Sequence, residues 1–141
     1  MKVAIAGAGY VGLSNAVLLA QHNSVIVMEP NEDKVKKINS HISPIADPDI
    51  SLFLSKHALD LVATADEQLA YSKADYVLIA TPTDYDETAR RFDTSTVEQV
   101  IASVRKFSKT AIIVIKSTVP IGFTNYVSDK DLIFSIRDLN L

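Results

Sequence analysis

The sequence predicts an α/β fold: a doubly wound, mainly parallel six-stranded sheet with helices on both faces. Three observations predict it. Short runs of strand-forming residues alternate with segments of helical periodicity along the whole chain. The strand runs are apolar at nearly every position, as in sheets covered on both faces. A glycine-rich turn, Gly7-Ala-Gly9-Tyr-Val-Gly12, separates the first strand from the first helix.

Each element has its own signal. Lys2 to Ala6 is a short apolar, β-branched run and reads as a buried parallel strand. Val11 to Gln21 reads as a helix, with Leu13, Val17 and Leu18 near helical spacing. Ser24 to Met28 is the second strand, ending at Glu29-Pro30. Asn31 is a good N-cap for a helix continuing over Lys34 to Ile38. Ser40 to Asp49 holds two prolines and little periodicity, so it reads as a loop, with one or two helical turns at Ile50 to Ser55. Leu59 to Ala63 is the third strand, and Thr64 is placed to cap a short helix over Glu67 to Tyr71. Tyr76 to Ala80 is a fourth strand made almost wholly of strand formers. Thr81 to Asp93 reads as a polar loop, and Thr94 to Phe107 as a helix with Val97, Val100, Ile101 and Val104 on one face. Ala111 to Ile115 and Leu132 to Phe134 are the fifth and sixth strands.

Composition excludes several function classes. A chain of 141 residues suits one domain and buries a sizeable core without staples. The formal net charge is −3 and the basic residues are scattered, so no basic field draws nucleic acid. The first apolar stretch, Val3 to Leu19, is broken by glycines and has no cleavage site, so it is neither a membrane span nor a signal peptide. There is no cysteine, hence no disulfide, thiolate ligand or cysteine nucleophile within these residues, and a cytoplasmic location is the natural expectation. His22, His41 and His57 share no motif, and Asp84, Asp86 and Glu87 read as a solvated acidic loop, so no metal is expected.

The glycine turn carries the chemistry. Gly7 permits the tight turn out of the strand, Gly9 lets the backbone approach a pyrophosphate, and Gly12 lets the helix pack on the sheet. Free N–H groups and the dipole at the helix start favour the negative charge. Glu29 ends the second strand twenty positions after Gly9, near the spacing of the acidic residue that binds ribose hydroxyls. A carboxylate there repels a 2′-phosphate and favours NAD over NADP. FAD is the other reading of the same residues. Fingerprint and acidic partner together make this a Rossmann-type dinucleotide site.

Further motifs narrow the reading. Ile79-Ala-Thr-Pro-Thr-Asp-Tyr-Asp86 follows the fourth strand, and Phe92-Asp-Thr-Ser-Thr-Val-Glu98 opens the next helix. Lys116-Ser-Thr-Val-Pro-Ile-Gly-Phe-Thr124 follows the fifth strand. With Gly7 to Gly12 and Ser43-Pro-Ile45, these closely resemble the N-terminal NAD-binding domain of bacterial UDP-glucose 6-dehydrogenases, in the UDP-glucose/GDP-mannose dehydrogenase family. The resemblance runs to about Ser135, and UDP-N-acetylmannosamine and GDP-mannose dehydrogenases share looser forms of the motifs. It implies that NAD lies across the domain, with Tyr10 and Val11 covering the pyrophosphate and Glu29 and Lys34 bordering the adenosine ribose. Relatives often carry aspartate where Glu29 stands. It further implies that Thr83 contacts the cofactor, and that Thr118 lies near the nicotinamide and helps orient water or a reacting oxygen.

The resemblance also sets limits. The family oxidises UDP-glucose to UDP-glucuronate in two hydride transfers, through a thioester on a cysteine of a later domain. No cysteine is present here, and where relatives continue Phe-Ser-Pro-Glu-Phe-Leu this chain reads Phe134-Ser-Ile-Arg-Asp138. The expectation is a single dinucleotide-binding domain over 1–141 without a substrate domain, left by a truncation or an interrupted frame, and catalytically incomplete alone. Two other readings stay open: a stand-alone NAD-binding or interaction module, and another Rossmann enzyme such as a short hydroxyacid or ketopantoate-type reductase. A homodimer is implied through segments outside this chain, with UDP-glucose a partner only of a complete enzyme and no membrane partner.

Overall fold

The structure, a computed structural model, describes residues 1–56, 58–87, 91–127 and 133–135. The elements run β1 (Lys2–Ala6), α1 (Tyr10–Leu19), β2 (Ser24–Met28), α2 (Glu32–Asn39), α3 (Pro48–Lys56), β3 (Leu61–Thr64), α4 (Glu67–Tyr71) and β4 (Tyr76–Ile79). A short hairpin of β5 (Tyr85–Asp86) and β6 (Arg91–Phe92) follows, then α5 (Ser95–Phe107), β7 (Ile112–Ile115), α6 (Phe123–Val127) and β8 (Ile133–Ser135). Six strands form one sheet in the order β3-β2-β1-β4-β7-β8, and every neighbouring pair is parallel. This is the doubly wound, Rossmann-type sheet that the alternation predicts.

The apolar strand runs divide cleanly between two cores. Val3 and Ile5 of β1 join Leu13, Val17, Ile38 and Leu54, from α1, α2 and α3, on one face. Ala4 and Ala6 join Tyr71, Val97, Val104 and Phe123, from α4, α5 and α6, on the other. Successive side chains of a strand point to opposite faces, so a central strand covered on both sides must be apolar at every position. Leu18, expected on the buried face of α1, is instead 63% exposed; it lies one position past Val17, and that step carries it around the helix to solvent.

Local chemistry sets the helix starts. The Asn31 side chain accepts from the backbone N–H groups of Asp33 and Lys34 at 3.0 and 3.2 Å and caps α2. Thr64 does not cap α4. The cap is Asp66, whose carboxylate accepts from Gln68 and Leu69 at 2.8 and 3.1 Å. Thr64 is the last residue of β3, and its hydroxyl accepts from the Asp66 N–H instead, shaping the turn ahead of the cap. The region expected as a polar loop, Thr81 to Asp93, contains the β5–β6 hairpin, with an edge-on contact of the Tyr85 and Phe92 rings at 5.2 Å. The sixth strand is found as β8; Leu132, its expected first residue, lies outside the described residues, as do His57 and the 136–141 segment.

Tyr71 is fully buried on α4, and its hydroxyl has no hydrogen-bond partner among the described residues. Burial, and then the nearby Glu67 carboxylate, push its pKa above the ordinary tyrosine value, so the phenol stays neutral. Phenylalanine keeps the ring and removes an unsatisfied polar group. Tyr71→Phe is therefore expected to leave stability unchanged or to raise it by up to ~1 kcal/mol in urea denaturation. A loss above ~1 kcal/mol would reveal a buried partner for the hydroxyl, such as an ordered water.

Candidate functional site

The chain leaves β1 toward β2 and β3 on one side, then returns to build β4, β7 and β8 on the other. Strand order therefore reverses between β1 and β4, and a crevice opens there at the carboxyl ends, where sheets of this kind bind ligands. The glycine turn leaves β1 into this crevice, and the Thr81–Thr83 segment leaves β4 beside it.

Each glycine of the turn meets a different constraint. Gly7 has φ of 103° and donates its N–H to the Met28 carbonyl at 2.9 Å. A Cβ on it would sit 2.8 Å from the Ala80 carbonyl oxygen, so the β1 and β4 exits pass too closely for any side chain. A Cβ on Gly12 would run into the Gly7 carbonyl itself. Gly9 differs from both. Its backbone is extended, at φ −87° and ψ −171°, and a Cβ there would meet no protein atom within 4 Å. Gly9 is also the N-cap of α1; it supplies no side-chain cap, and no acidic residue stands in the first turn. The helix start is thus positive and faces open space.

Tyr10 and Val11 are exposed beside this space. The Tyr10 hydroxyl donates to the Ala46 carbonyl at 3.3 Å, which brings the Ser43-Pro44-Ile45 loop against the turn. That loop is braced internally by the Ser43 hydroxyl, which donates to the Ile45 carbonyl at 2.8 Å.

Glu29 is only 6% exposed. One carboxylate oxygen accepts from the Ala8 N–H and the other from the Asn31 N–H, each at 3.0 Å. Lys34 Nζ lies 3.7 Å from the first of these oxygens. The structure thus brings Glu29 and Lys34 together beside the glycine turn, and gives Glu29 a task that spacing did not reveal: it ties that turn to the start of α2. The glutamate side chain reaches back to the Ala8 amide.

On the other side, Thr83 is half-buried after β4 and Thr118 is exposed after β7. Between them runs a hydroxyl network that the sequence reading missed. Ser117 Oγ donates to the Thr81 carbonyl at 2.7 Å, and Thr96 Oγ1, in the first turn of α5, donates to the Pro82 carbonyl at 3.0 Å. Both residues stand inside the quoted motifs, but a hydroxyl in a strand-exit turn or a helix start reads as local capping until the tertiary partner is known. Next to this network a cleft of about 600 Å³ opens between the hairpin and α6, lined among others by Asp84, Tyr85, Asp93, Glu98, Phe123 and Tyr126. Among the described residues no group of His, Asp or Glu side chains is arranged to hold a metal, and no helix is long and apolar enough to cross a membrane.

Residues 1–134 match the family model described as UDP-glucose/GDP-mannose dehydrogenase family, NAD binding domain. The chain belongs to this family. Two curated UDP-glucose 6-dehydrogenases illustrate the likeness. That of Streptococcus pneumoniae is 49% identical over 130 residues, covering 92% of this chain and 33% of the relative. That of Campylobacter jejuni is 42% identical over 132 residues, covering 92% and 34%. The chain therefore spans about a third of the length of the UDP-glucose dehydrogenases it matches. Among solved structures, a GDP-mannose dehydrogenase from Pseudomonas aeruginosa aligns with a TM-score of 0.81 at 28% identity, covering 90% of this chain and 30% of that one. A UDP-D-ManNAc dehydrogenase from Pyrococcus horikoshii aligns at 0.83 over 96% and 35%; at 23% identity this is agreement of fold. The strand order, the fingerprint and the resemblance thus converge on the NAD-binding domain of the UDP-glucose/GDP-mannose dehydrogenase family.

Proposed function

We propose that the Gly7–Gly12 turn takes the pyrophosphate of NAD, that Glu29 and Lys34 border the adenosine ribose, and that Thr83 and Thr118 flank the nicotinamide end. Gly9 carries the reading. It is the one glycine of the turn whose missing side chain is not required by neighbouring protein atoms, and the space it leaves lies over an uncapped helix start. A bound pyrophosphate supplies both the reason for the space and the acceptors for the free N–H groups. Tyr10 and Val11 border the same space and help cover the pyrophosphate.

In a full-length protein of the family, this domain presents NAD to UDP-glucose, which is oxidised to UDP-glucuronate. NAD supplies the hydride acceptor. The residues of this chain bind and orient: the turn holds the phosphates, Glu29 holds the ribose and the turn at once, and Thr118 orients water or a reacting oxygen. The 141 residues contain no cysteine, so the thioester chemistry implied for the family falls to residues outside them. A cytoplasmic location and a homodimer accompany this reading.

Calorimetric titration with NAD and NADP tests it. NAD is expected to bind at least about tenfold more tightly, a difference of ~1.4 kcal/mol, because a 2′-phosphate meets the Glu29 charge. Equal affinity, or preference for NADP, would remove the ribose assignment; binding of neither would remove the reading altogether. Glu29→Gln is the informative variant, since it deletes the charge at nearly constant shape. It is expected to weaken NAD by ~1–3 kcal/mol and to narrow the discrimination. A thermal melt on the same sample separates this from loosening of the turn that Glu29 ties at Ala8 and Asn31.

A further inference from the structure

We propose that Ser117 and Thr96 are positioning residues for the nicotinamide end of the site, acting together as a clamp on the segment that leaves β4. The inference rests on the placement of NAD given above and extends it to two residues whose hydroxyls bond the exit of β4.

The argument starts from the backbone. β4 ends at Ile79, whose carbonyl accepts from the N–H groups of Lys116 and Ser117 at 2.8 and 3.1 Å. On the other side the Ala80 N–H still donates to the Ala6 carbonyl at 2.9 Å. Past that point the ladder stops, and Pro82 brings no N–H of its own. Beyond Ala80, the carbonyls of Thr81 and Pro82 are held by hydroxyls from two different elements: Ser117 at the exit of β7 and Thr96 at the start of α5. The Thr81 hydroxyl lies 3.5 Å from that of Ser117, which adds a second, weaker link on the same side.

Consecutive carbonyls held by two separate elements leave the segment little freedom, and the residue that follows is Thr83. Ser117 also immediately precedes Thr118. One hydroxyl therefore sets the spacing between the two threonines that flank the nicotinamide end, and Thr96 fixes the direction in which Thr83 leaves the sheet. The adenosine end, at Ala8, Glu29 and Lys34, is held by a separate set of bonds. A clamp of this kind acts on one half of the dinucleotide and leaves the other half alone, whereas general loosening of the fold acts on both.

That asymmetry is the test. NAD and ADP are titrated separately into the wild-type chain, Ser117→Ala, Thr96→Val and the double variant, with Ser117→Thr and Thr96→Ser as controls that keep the hydroxyl. Each single loss is expected to weaken NAD about fivefold, the scale of one net hydrogen bond, and ADP less than about twofold. The controls are expected to bind NAD within about twofold of wild type. Amide hydrogen exchange at Asp93 and Lys116, whose N–H groups hold the Asp84 and Ile79 carbonyls on either side of the clamped segment at 2.8 Å each, is expected to quicken in the Ala and Val variants and not in the controls. Equal weakening of NAD and ADP, or NAD affinity unchanged in the double variant, would overturn the clamp. If the wild-type chain binds neither ligand, the NAD placement falls on its own, and exchange still decides whether a clamp exists: unchanged protection of the Asp93 amide in the double variant overturns it.

Discussion

Gly9→Val is expected to fold like the parent chain and to lose NAD. The extended backbone at Gly9 is one that valine adopts readily, and the added Cβ meets nothing within 4 Å, so the apo domain gains no clash. Apart from a modest loss of N-cap preference at α1, the cost falls on the ligand. A branched side chain fills the space assigned to the pyrophosphate and screens the free N–H groups of α1 from it, and these are the strongest contacts a helix start offers an anion. An affinity loss on the order of a hundredfold or more, ~3 kcal/mol, is expected, with a circular dichroism spectrum and melting temperature close to those of the parent. Retained binding in Gly9→Val would show that the cofactor does not use this turn. Lost binding with a collapsed melt would show that Gly9 is structural after all.

Gly12→Ala is expected to do the reverse. It adds a single methyl group three positions further along, yet that carbon points straight at the Gly7 carbonyl. Both sides of the collision are backbone: Gly7 is fixed by its bond to Met28 and by the Ala80 carbonyl behind it, and Gly12 sits in the first turns of α1. With no flexible side chain to give way, α1 must lift off the sheet, carrying Leu13, Ala16 and Val17 partly out of their core. A destabilisation of ~3 kcal/mol, the upper range for overpacking, is expected. For a chain of this size that is a fall of roughly 10 °C in melting temperature. Thermal and urea melts measure it. A change below ~1 kcal/mol would mean that the helix can shift without disturbing the sheet. The two variants thus separate a glycine kept for the ligand from one kept for the fold, within a single turn of six residues.

Much of this architecture is legible in the residues. The strands are legible because a sheet covered on both faces demands unbroken apolar runs, and few other segments of the chain have them. Asn31 is legible because capping is local, decided by a side chain and the two amides beyond it. The glycine turn is legible because its spacing reflects backbone geometry rather than packing partners. What escapes is non-local. Thr64 and Asp66 are both good caps in isolation, and the choice between them depends on where β3 stops. The β5–β6 hairpin escapes because its strands are two residues each and carry little periodicity. Glu29 looks like any strand-end carboxylate until the fold brings the Ala8 amide to it from 21 positions away. The same holds for Ser117 and Thr96, whose partners lie 36 and 14 positions off.

The position of β1 in the sheet also governs the order of assembly. Val3 pairs with Val25 on one side and with Tyr76 on the other, so the first strand of the chain is the sheet's central one and its second flank is encoded 73 residues later. At about 5–20 residues per second on the ribosome, β1 waits several seconds for that partner. During the wait β1, β2 and β3 can join as a three-stranded parallel sheet, while the edge of β1, with Ala4 and Ala6, has neither its neighbouring strand nor the cover of α5. An unpaired apolar edge is a template for intermolecular strand addition. Docking of β4 is thus the closing step of the central sheet, and closing such sequence-distant pairs is slow because the loop entropy is lost before the contacts form. Refolding at high protein concentration is where this topology is most vulnerable, and variants that delay β4 without touching native stability are the ones that would aggregate.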